Sequence, residues 1–380
     1  MKVLIAMDSF KGSLSASEAC DAVEAGIKEI NKEIECIKRP VADGGEGTVN
    51  TLVDTLNGRR VFLTVKDPLM RDIEVYYGII NTNTAIVEMA ISSGLTLIEK
   101  SERNPLFTST YGVGEIINDA LNKGLKKFII GIGGSATNDA GIGMLNALGA
   151  RFYDDNNNLL KPIGESLKLI NHIDLDGFDK RIQTAKFLIA CDVNNPLFGK
   201  NGAAYIFAPQ KGANQIEVKQ LDQGLKKFHK LVNKTLNIDF HSLKGAGAAG
   251  GLGYAFSCFF SADLKPGIEI IFELLKIKEE LKDVDMVITG EGKIDSQTKM
   301  GKVLSGIGLL AKKYHLPVIA IGGIVEQNLN LEDIGINSLY SIITHDANLE
   351  EAMQKANAYQ LLKTETKAIF KDIRQKKGTI

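Results

Sequence analysis

The chain has 380 residues, with 45 Lys and Arg against 46 Asp and Glu, a formal charge of −1. A single core rarely grows past about 250–300 residues, so the length predicts two domains; the neutral balance excludes a protein that holds nucleic acid by bulk charge, and 44% hydrophobic residues exclude intrinsic disorder. Glycine is the outlier, 38 residues beside only 8 prolines, so the excess belongs to particular backbone positions and not to low-complexity sequence.

In chain order, residues 3–7 predict a buried first strand, too short to be a signal peptide. A helix follows at 15–30, with Ser15 as N-cap and Glu18 three residues on, the capping-box pattern. A second strand at 35–41 and a helix at about 47–57 come next. The texture changes near residue 60. Residues 60–65, 73–80 and 84–88 predict antiparallel strands, with Asn81-Thr82-Asn83 as a turn. A helix at 114–123, a strand at 127–132, a loop or hairpin at 154–158 and strands at 186–191 and 204–207 follow. From residue 285 the first texture returns: strand 285–289, helix 302–314, strands 317–321 and 338–343, helix 349–374.

Short apolar runs alternating with helical patterns predict an α/β protein. The texture break predicts two domains. One is discontinuous, 1–62 and 284–380, a flavodoxin-like doubly wound parallel sheet. The other, a mixed-sheet α/β domain at 63–283, is inserted in it, with the active site in the cleft between them. No apolar run nears the roughly 18 residues of a membrane helix, so no membrane partner is expected. Cys20, Cys36, Cys191 and Cys258 form no CxxC and predict reduced thiols in the cytoplasm. The five histidines form no metal-spaced pair, so no structural zinc is expected. Self-association into a homo-oligomer is left open.

Glycines and acids cluster just after the strands. Asp8-Ser9-Phe10-Lys11-Gly12-Ser13 follows the first, and Asp43-Gly44-Gly45-Glu46-Gly47-Thr48 the second. Gly131-Ile132-Gly133-Gly134-Ser135-Ala136-Thr137-Asn138-Asp139, Asp192-Val193-Asn194-Asn195 and Thr289-Gly290-Glu291-Gly292-Lys293-Ile294-Asp295 follow three more. In open α/β sheets the ligand crevice lies at such strand ends. Glycine lets backbone N–H groups approach an anion, carboxylates suit Mg²⁺, and Lys11 and Lys211 can neutralise phosphate or carboxylate. Together these are the parts of a phosphoryl-transfer site, although no P-loop motif occurs. Gly131-x-Gly133-x-x-Ala136 and Gly245-x-Gly247-x-x-Gly250 fit the dinucleotide form literally, but the first is followed by polar residues and the second follows no strand, which disfavours NAD.

These loops, with Pro209-Gln210-Lys211-Gly212-Ala213, the run Gly245-Ala246-Gly247-Ala248-Ala249-Gly250-Gly251-Leu252-Gly253, Gln297-Thr298 and Gly301-Lys302, resemble the type I (GarK-like) glycerate kinases of bacteria. The matching stretches span most of the chain in order. The resemblance implies ATP-dependent phosphorylation of D-glycerate to 2-phosphoglycerate. The alternatives are the 3-hydroxyl as acceptor or, in a different class, a non-catalytic binder of small hydroxy acids. Two positions depart from the family's usual pattern. Asn138-Asp139-Ala140-Gly141 stands for Asn-Asp-Gly-Gly, and Asp67-Pro68-Leu69-Met70 for Gly-Pro-Leu-Gly.

For this chemistry Asp192 is the expected base, as a carboxylate desolvated at an apolar strand end. Lys11 and Asp8 complete the catalytic set. Arg103 is expected on the substrate carboxylate, since its planar fork matches one. Ser9, Asp43, Gly44, Gly45, Ser109, Gly133, Gly134, Ser135, Asn138, Asp139, Lys211, Gly290 and Lys293 are expected to bind substrate or phosphate, and Glu46, Glu291 and Asp295 to hold Mg²⁺.

Overall fold

The first apolar run forms a strand at the heart of a parallel sheet. In the computed structural model the chain divides into two units, Met1–Asp43 with Ile268–Ile380, and Gly44–Gly267. The structure describes residues 1–42, 44–45, 47–299, 303–343 and 348–377, of which 376 and 377 by backbone alone.

The chain begins with β1 (Lys2–Met7), α1 (Ala16–Ile30) and β2 (Glu35–Lys38). The inserted unit then runs α2 (Thr48–Thr55), β3 (Arg59–Lys66), β4 (Asp72–Ile80), β5 (Thr84–Glu88), α3 (Ala90–Ser93), α4 (Tyr111–Asn122), β6 (Lys127–Gly131), α5 (Ile142–Ala147), β7 (Arg151–Tyr153), β8 (His172–Asp174), β9 (Lys186–Ala190), α6 (Ala203–Phe207), α7 (Gln215–Leu236), α8 (Ala248–Phe259) and β10 (Asp263–Lys265). The return begins with α9 (Gly267–Leu274) and continues through α10 (Ile277–Glu280), β11 (Met286–Ile294), α11 (Val303–Lys313), β12 (Val318–Val325), β13 (Ser338–Ser341), α12 (Leu349–Met353) and α13 (Lys355–Lys377).

The first unit holds a five-stranded sheet in the order β13-β12-β11-β1-β2, every neighbouring pair parallel. A parallel sheet is covered on both faces, so its strands read as continuous apolar runs, and Val3–Met7, Val287, Ile288 and 318–321 are all buried. The expected capping box forms: the Ser15 hydroxyl accepts the Glu18 N–H, and the Glu18 carboxylate accepts the Ser15 N–H. The glycine loop expected after residue 289 is instead strand. β11 and β12 run on together past the end of β1, pairing Glu291 with Gly322 and Lys293 with Ile324.

The inserted unit has a mixed six-stranded sheet in the order β10-β9-β6-β5-β4-β3, plus the ribbon β7-β8. β3, β4 and β5 are antiparallel as expected, while β5, β6, β9 and β10 pair in parallel. Gly78 of β4 lies against Val49 and Val53 of α2, so α2 belongs to this unit and the boundary expected after residue 62 falls at Gly44. Ile268 and Phe272 of α9 lie against Gly306 of α11, which moves the second boundary from 284 to Ile268.

Two element assignments change. Residues 204–207 form part of helix α6, because a short apolar run carries no period and α7 and α8 cover this one as a helix. Residues 349–374 form two helices broken at Gln354, whose φ −58, ψ 132 is extended. No element was expected over α7, a 22-residue helix with its own capping box, Asn214 with Glu217, and a buried stripe of Val218, Leu221, Leu225, Phe228 and Val232. Among the described residues no helix is long and apolar enough to cross a membrane.

The departure at 67–70 is a tight turn. Asp67 is buried, and its carboxylate accepts the N–H groups of Leu69 and Arg71, each at 2.8 Å, and the Arg71 guanidinium at 2.6 Å. Met70 takes φ +66 there with its side chain 37% exposed. A left-handed non-glycine residue costs roughly 1–2 kcal/mol, and an exposed thioether recovers little of that by burial. Met70→Gly is therefore expected to stabilise the protein by roughly 0.5–1 kcal/mol after the entropy lost to a freer unfolded chain, read as a raised urea midpoint at unchanged slope.

Candidate functional site

Three parallel strands of the inserted unit end level: Glu88 pairs with Gly131, and Gly131 with Ala190. The segments that follow them therefore leave from one sheet edge. The Glu88 carboxylate accepts the N–H groups of Gly47 at 3.2 Å and Val49 at 2.7 Å at the start of α2, which holds the Gly44-Gly45 segment at the same edge. Gly44 takes φ +89, and a Cβ on Gly131 would stand 2.3 Å from the Gly44 carbonyl oxygen. Asp43 and Glu46 lie outside the described residues.

The loop after β6 presents Gly133 and Gly134 to solvent and turns inward at Ser135. Lys211, only 2% exposed, donates to the Ser135 hydroxyl and to the Thr137 carbonyl, both at 2.6 Å. Burial pushes its pKa down to about 7, against the pull of Asp139. Asp139 is also fully buried. It accepts the Thr110 N–H and hydroxyl, both at 2.8 Å, and the N–H groups of Gly141 at 3.1 Å and Gly143 at 3.2 Å. Burial pushes its pKa up, and those donors pull it back. Lys211 and Asp139 are thus placed to hold the loop, not to meet solvent.

Asn138 differs. It is fully buried, yet neither its amide nitrogen nor its amide oxygen has a protein partner. A buried amide left unpaired costs roughly 1–3 kcal/mol, so this residue is the loop's best candidate for a ligand contact. The Ser109 hydroxyl is engaged, donating to the Pro162 carbonyl at 2.6 Å and accepting the Tyr111 N–H at 3.2 Å. The glycine run at 245–253 serves packing. A Cβ on Gly250 would stand 2.1 Å from the Thr137 carbonyl oxygen, and one on Gly251 2.9 Å from the Ala140 Cα. The backbone that these glycines admit is the loop's own. No helix follows Gly131-x-Gly133 until α5 begins at Ile142, which removes the helix N-terminus that a dinucleotide turn needs.

Asp192 follows β9 at this edge. It is exposed, and its carboxylate accepts the N–H of Gly267 at 2.9 Å, at the start of α9. The expected desolvation is absent, because the chain turns outward once β9 ends at Ala190, and the residue has the capping role that its sequence context did not suggest. Arg103 is half-buried, with its guanidinium 3.3–3.4 Å from the carbonyls of Leu95 and Ile98. Gly212, next to Lys211, abuts the Arg103 backbone closely enough that a Cβ would stand 2.0 Å from its carbonyl oxygen.

The first unit has its own polar edge. Asp8, Ser9, Lys11, Glu291 and Lys293 line a cavity of ≈ 320 Å³ whose apolar wall includes Ile324, Ile343 and Met353. The Asp8 N–H donates to the Gly290 carbonyl at 2.8 Å, and its carboxylate accepts the Ser9 N–H at 2.6 Å. Glu291, 9% exposed, accepts the Thr298 hydroxyl at 3.0 Å, and that oxygen accepts the Asp295 N–H at 3.2 Å. Asp295 pairs with Lys293 at 2.9 Å, whereas Lys11 is exposed. Gly290 is a sheet position, since a Cβ there would stand 2.1 Å from the Ile321 carbonyl oxygen. Among the described residues, Glu291 and Asp295 are not joined by a third ligand into a metal-sized cluster. The contributions of Glu88, Thr110 and Thr298 were missed. Glu88 ends a predicted strand and offered a signal, whereas the two threonines act only through folded neighbours.

Residues 3–374 match the family model described as glycerate kinase family. A Bacillus subtilis (strain 168) protein named glycerate kinase is 45% identical over 361 residues, covering 94% of each chain. An Escherichia coli (strain K12) protein named glycerate 2-kinase is 45% identical over 358 residues, again 94% of each. A crystal structure from Salmonella typhimurium LT2, named for glycerate kinase 2, superposes with a TM-score of 0.92 at 41% identity, covering 100% of this chain and 99% of the other.

Lys211 makes stability depend on pH with a definite sign. Its folded pKa of about 7 lies below the ordinary 10.5, so between those values the unfolded chain carries the extra proton and folding strengthens as pH rises. Denaturant titrations across pH 7–9 should show a rise of up to ~1.4 kcal/mol per pH unit from this residue, absent in Lys211→Met; equal slopes in the two proteins would refute the assignment.

Proposed function

The chain belongs to the glycerate kinase family, and we propose that it transfers the γ-phosphoryl group of ATP to the 2-hydroxyl of D-glycerate. The products are 2-phosphoglycerate and ADP. One observation carries this reading: the family match runs from residue 3 to residue 374 and takes in the polar strand-end loops of both units. It is a phosphotransferase with an alcohol group as acceptor. A bond forms between the substrate hydroxyl oxygen and the γ-phosphorus, the bond from that phosphorus to the ADP oxygen breaks, and the hydroxyl proton passes to a carboxylate.

We assign the nucleotide to the first unit. The parallel order β2-β1-β11-β12-β13 is the 2-1-3-4-5 order of flavodoxin-like, doubly wound sheets, which bind ligands at their strand ends. The cavity there has an apolar wall for a base and a polar end for phosphates. Lys11, exposed at that end, neutralises charge on the transferring group. Oxygen donors fit Mg²⁺, which takes one or two carboxylates beside phosphate oxygens; Glu291 and Asp295 would hold it directly or through its waters, with Glu46 as the further donor read from the sequence and Asp8 kept in the catalytic set. Mg²⁺ supplies charge neutralisation on the phosphate oxygens.

We assign glycerate to the inserted unit. The unpaired Asn138 amide offers both a donor and an acceptor to hydroxyl or carboxylate. The Arg103 guanidinium makes only long contacts to carbonyls and turns to a bidentate carboxylate partner. Gly133 and Gly134 present backbone N–H groups, and Lys211 sets the loop's shape through Ser135 and Thr137. Asp192 accepts the substrate proton. The four free cysteines accord with a cytoplasmic, reducing setting.

ADP release from ATP should depend on D-glycerate and on the metal, and phosphorus NMR of the product should show the ester at carbon 2; an ester at carbon 3, or no glycerate-dependent release, would overturn the reading. Asp192→Asn keeps an oxygen for the Gly267 N–H while removing the base. Turnover should fall by about 10²–10⁴-fold at unchanged Tm, and near-normal turnover would take Asp192 out of that role.

A further inference from the structure

His229 in α7 and Asp239 and His241 on the following loop lie together in the inserted unit, and none of the three is among the residues assigned above. The histidine spacing alone predicts no such pair. The chain doubles back at Asn237, which takes the left-handed φ of +56, and returns the loop to the helix. We propose that His229, Asp239 and His241 bind one divalent transition-metal ion of the zinc class, with an open position for water.

The geometry carries this. One ligand atom from each residue lies within 4.8 Å of the others. His229 Nε2 stands 3.6 Å from Asp239 Oδ1, and His241 Nδ1 stands 2.5 Å from it. Ligands 2.0–2.1 Å from zinc stand about 3.3 Å apart in a tetrahedron. Asp239 is exposed on its side-chain face, so its carboxylate can open the shorter separation without backbone movement.

The surroundings are those of a held ligand set. His229 is buried, and its Nδ1 lies 3.1 Å from the fully buried Tyr254 hydroxyl. A Tyr254 oxygen that accepts from Nδ1–H leaves the lone pair of Nε2 facing Asp239. A partner on the second ring nitrogen is the usual means of fixing a ligating histidine. The His241 ring stacks on Phe198 at 5.0 Å and 8°, and its carbonyl accepts the Leu197 N–H at 2.8 Å. Two imidazoles with one carboxylate select zinc, cobalt or nickel over Mg²⁺, so this site is separate from the kinase metal.

Titrating the tag-free full chain with Co²⁺ in Mg²⁺-free buffer tests it. One equivalent should produce the visible absorption of four-coordinate cobalt and raise Tm, and zinc should displace it. The band should vanish in His241→Ala and in Asp239→Ala, both on the loop and outside the core. Tyr254→Phe should weaken binding by about 10-fold or more. No band in the wild-type chain, or a band that survives both loop variants, would overturn the proposal.

Discussion

Two charged side chains without access to water shape the loop at the end of β6. Lys211 and Asp139 are buried, at an effective cost of several kcal/mol for each when charged. The structure offsets that cost with directed bonds: Lys211 grips Ser135 and Thr137, and Asp139 gathers the first N–H groups of α4 and α5. Between those two anchors lies Asn138, buried and unpaired. Such an amide is tolerable only because the residues on either side of it are clamped.

The excess glycine follows from the same constraint. Gly250 and Gly251 admit the backbone of residues 137–140 where any side chain would collide, and Gly131 does the same for Gly44. Close approach of backbone to backbone, more than of backbone to ligand, accounts for these positions. Ala140 shows the strain in this arrangement, since it takes φ +50 without the freedom of glycine. Gly133 and Gly134, on the same loop, are instead exposed to solvent.

Each unit has its own polar edge. The first unit's edge carries Asp8, Glu291 and an exposed Lys11 around a cavity with an apolar wall. The inserted unit's edge carries the buried, unpaired Asn138, the half-buried Arg103 and the exposed Asp192. Asp192 is tied to the N–H of Gly267, the last residue of its unit, so the expected base also anchors a chain crossing.

The sequence by itself determined the α/β class, the antiparallel run β3–β5, the Ser15 capping box and the family, because these rest on local periodicity and on long contiguous motifs. It also placed polar segments after β1, β6 and β9, since apolar runs stop where chains leave a sheet, but not the one after residue 289, where β11 continues to Ile294. Tertiary structure decided the rest. Whether Lys211 faces a ligand or clamps a loop, whether Asp192 is desolvated, and whether a glycine admits phosphate or protein all depend on residues tens to hundreds of positions away. The boundary at Gly44 depends likewise on α2 meeting β4, and the pairing of His229 with His241 on a turn at Asn237. Periodicity records which face of an element is buried; only the packed fold records what that face is buried against.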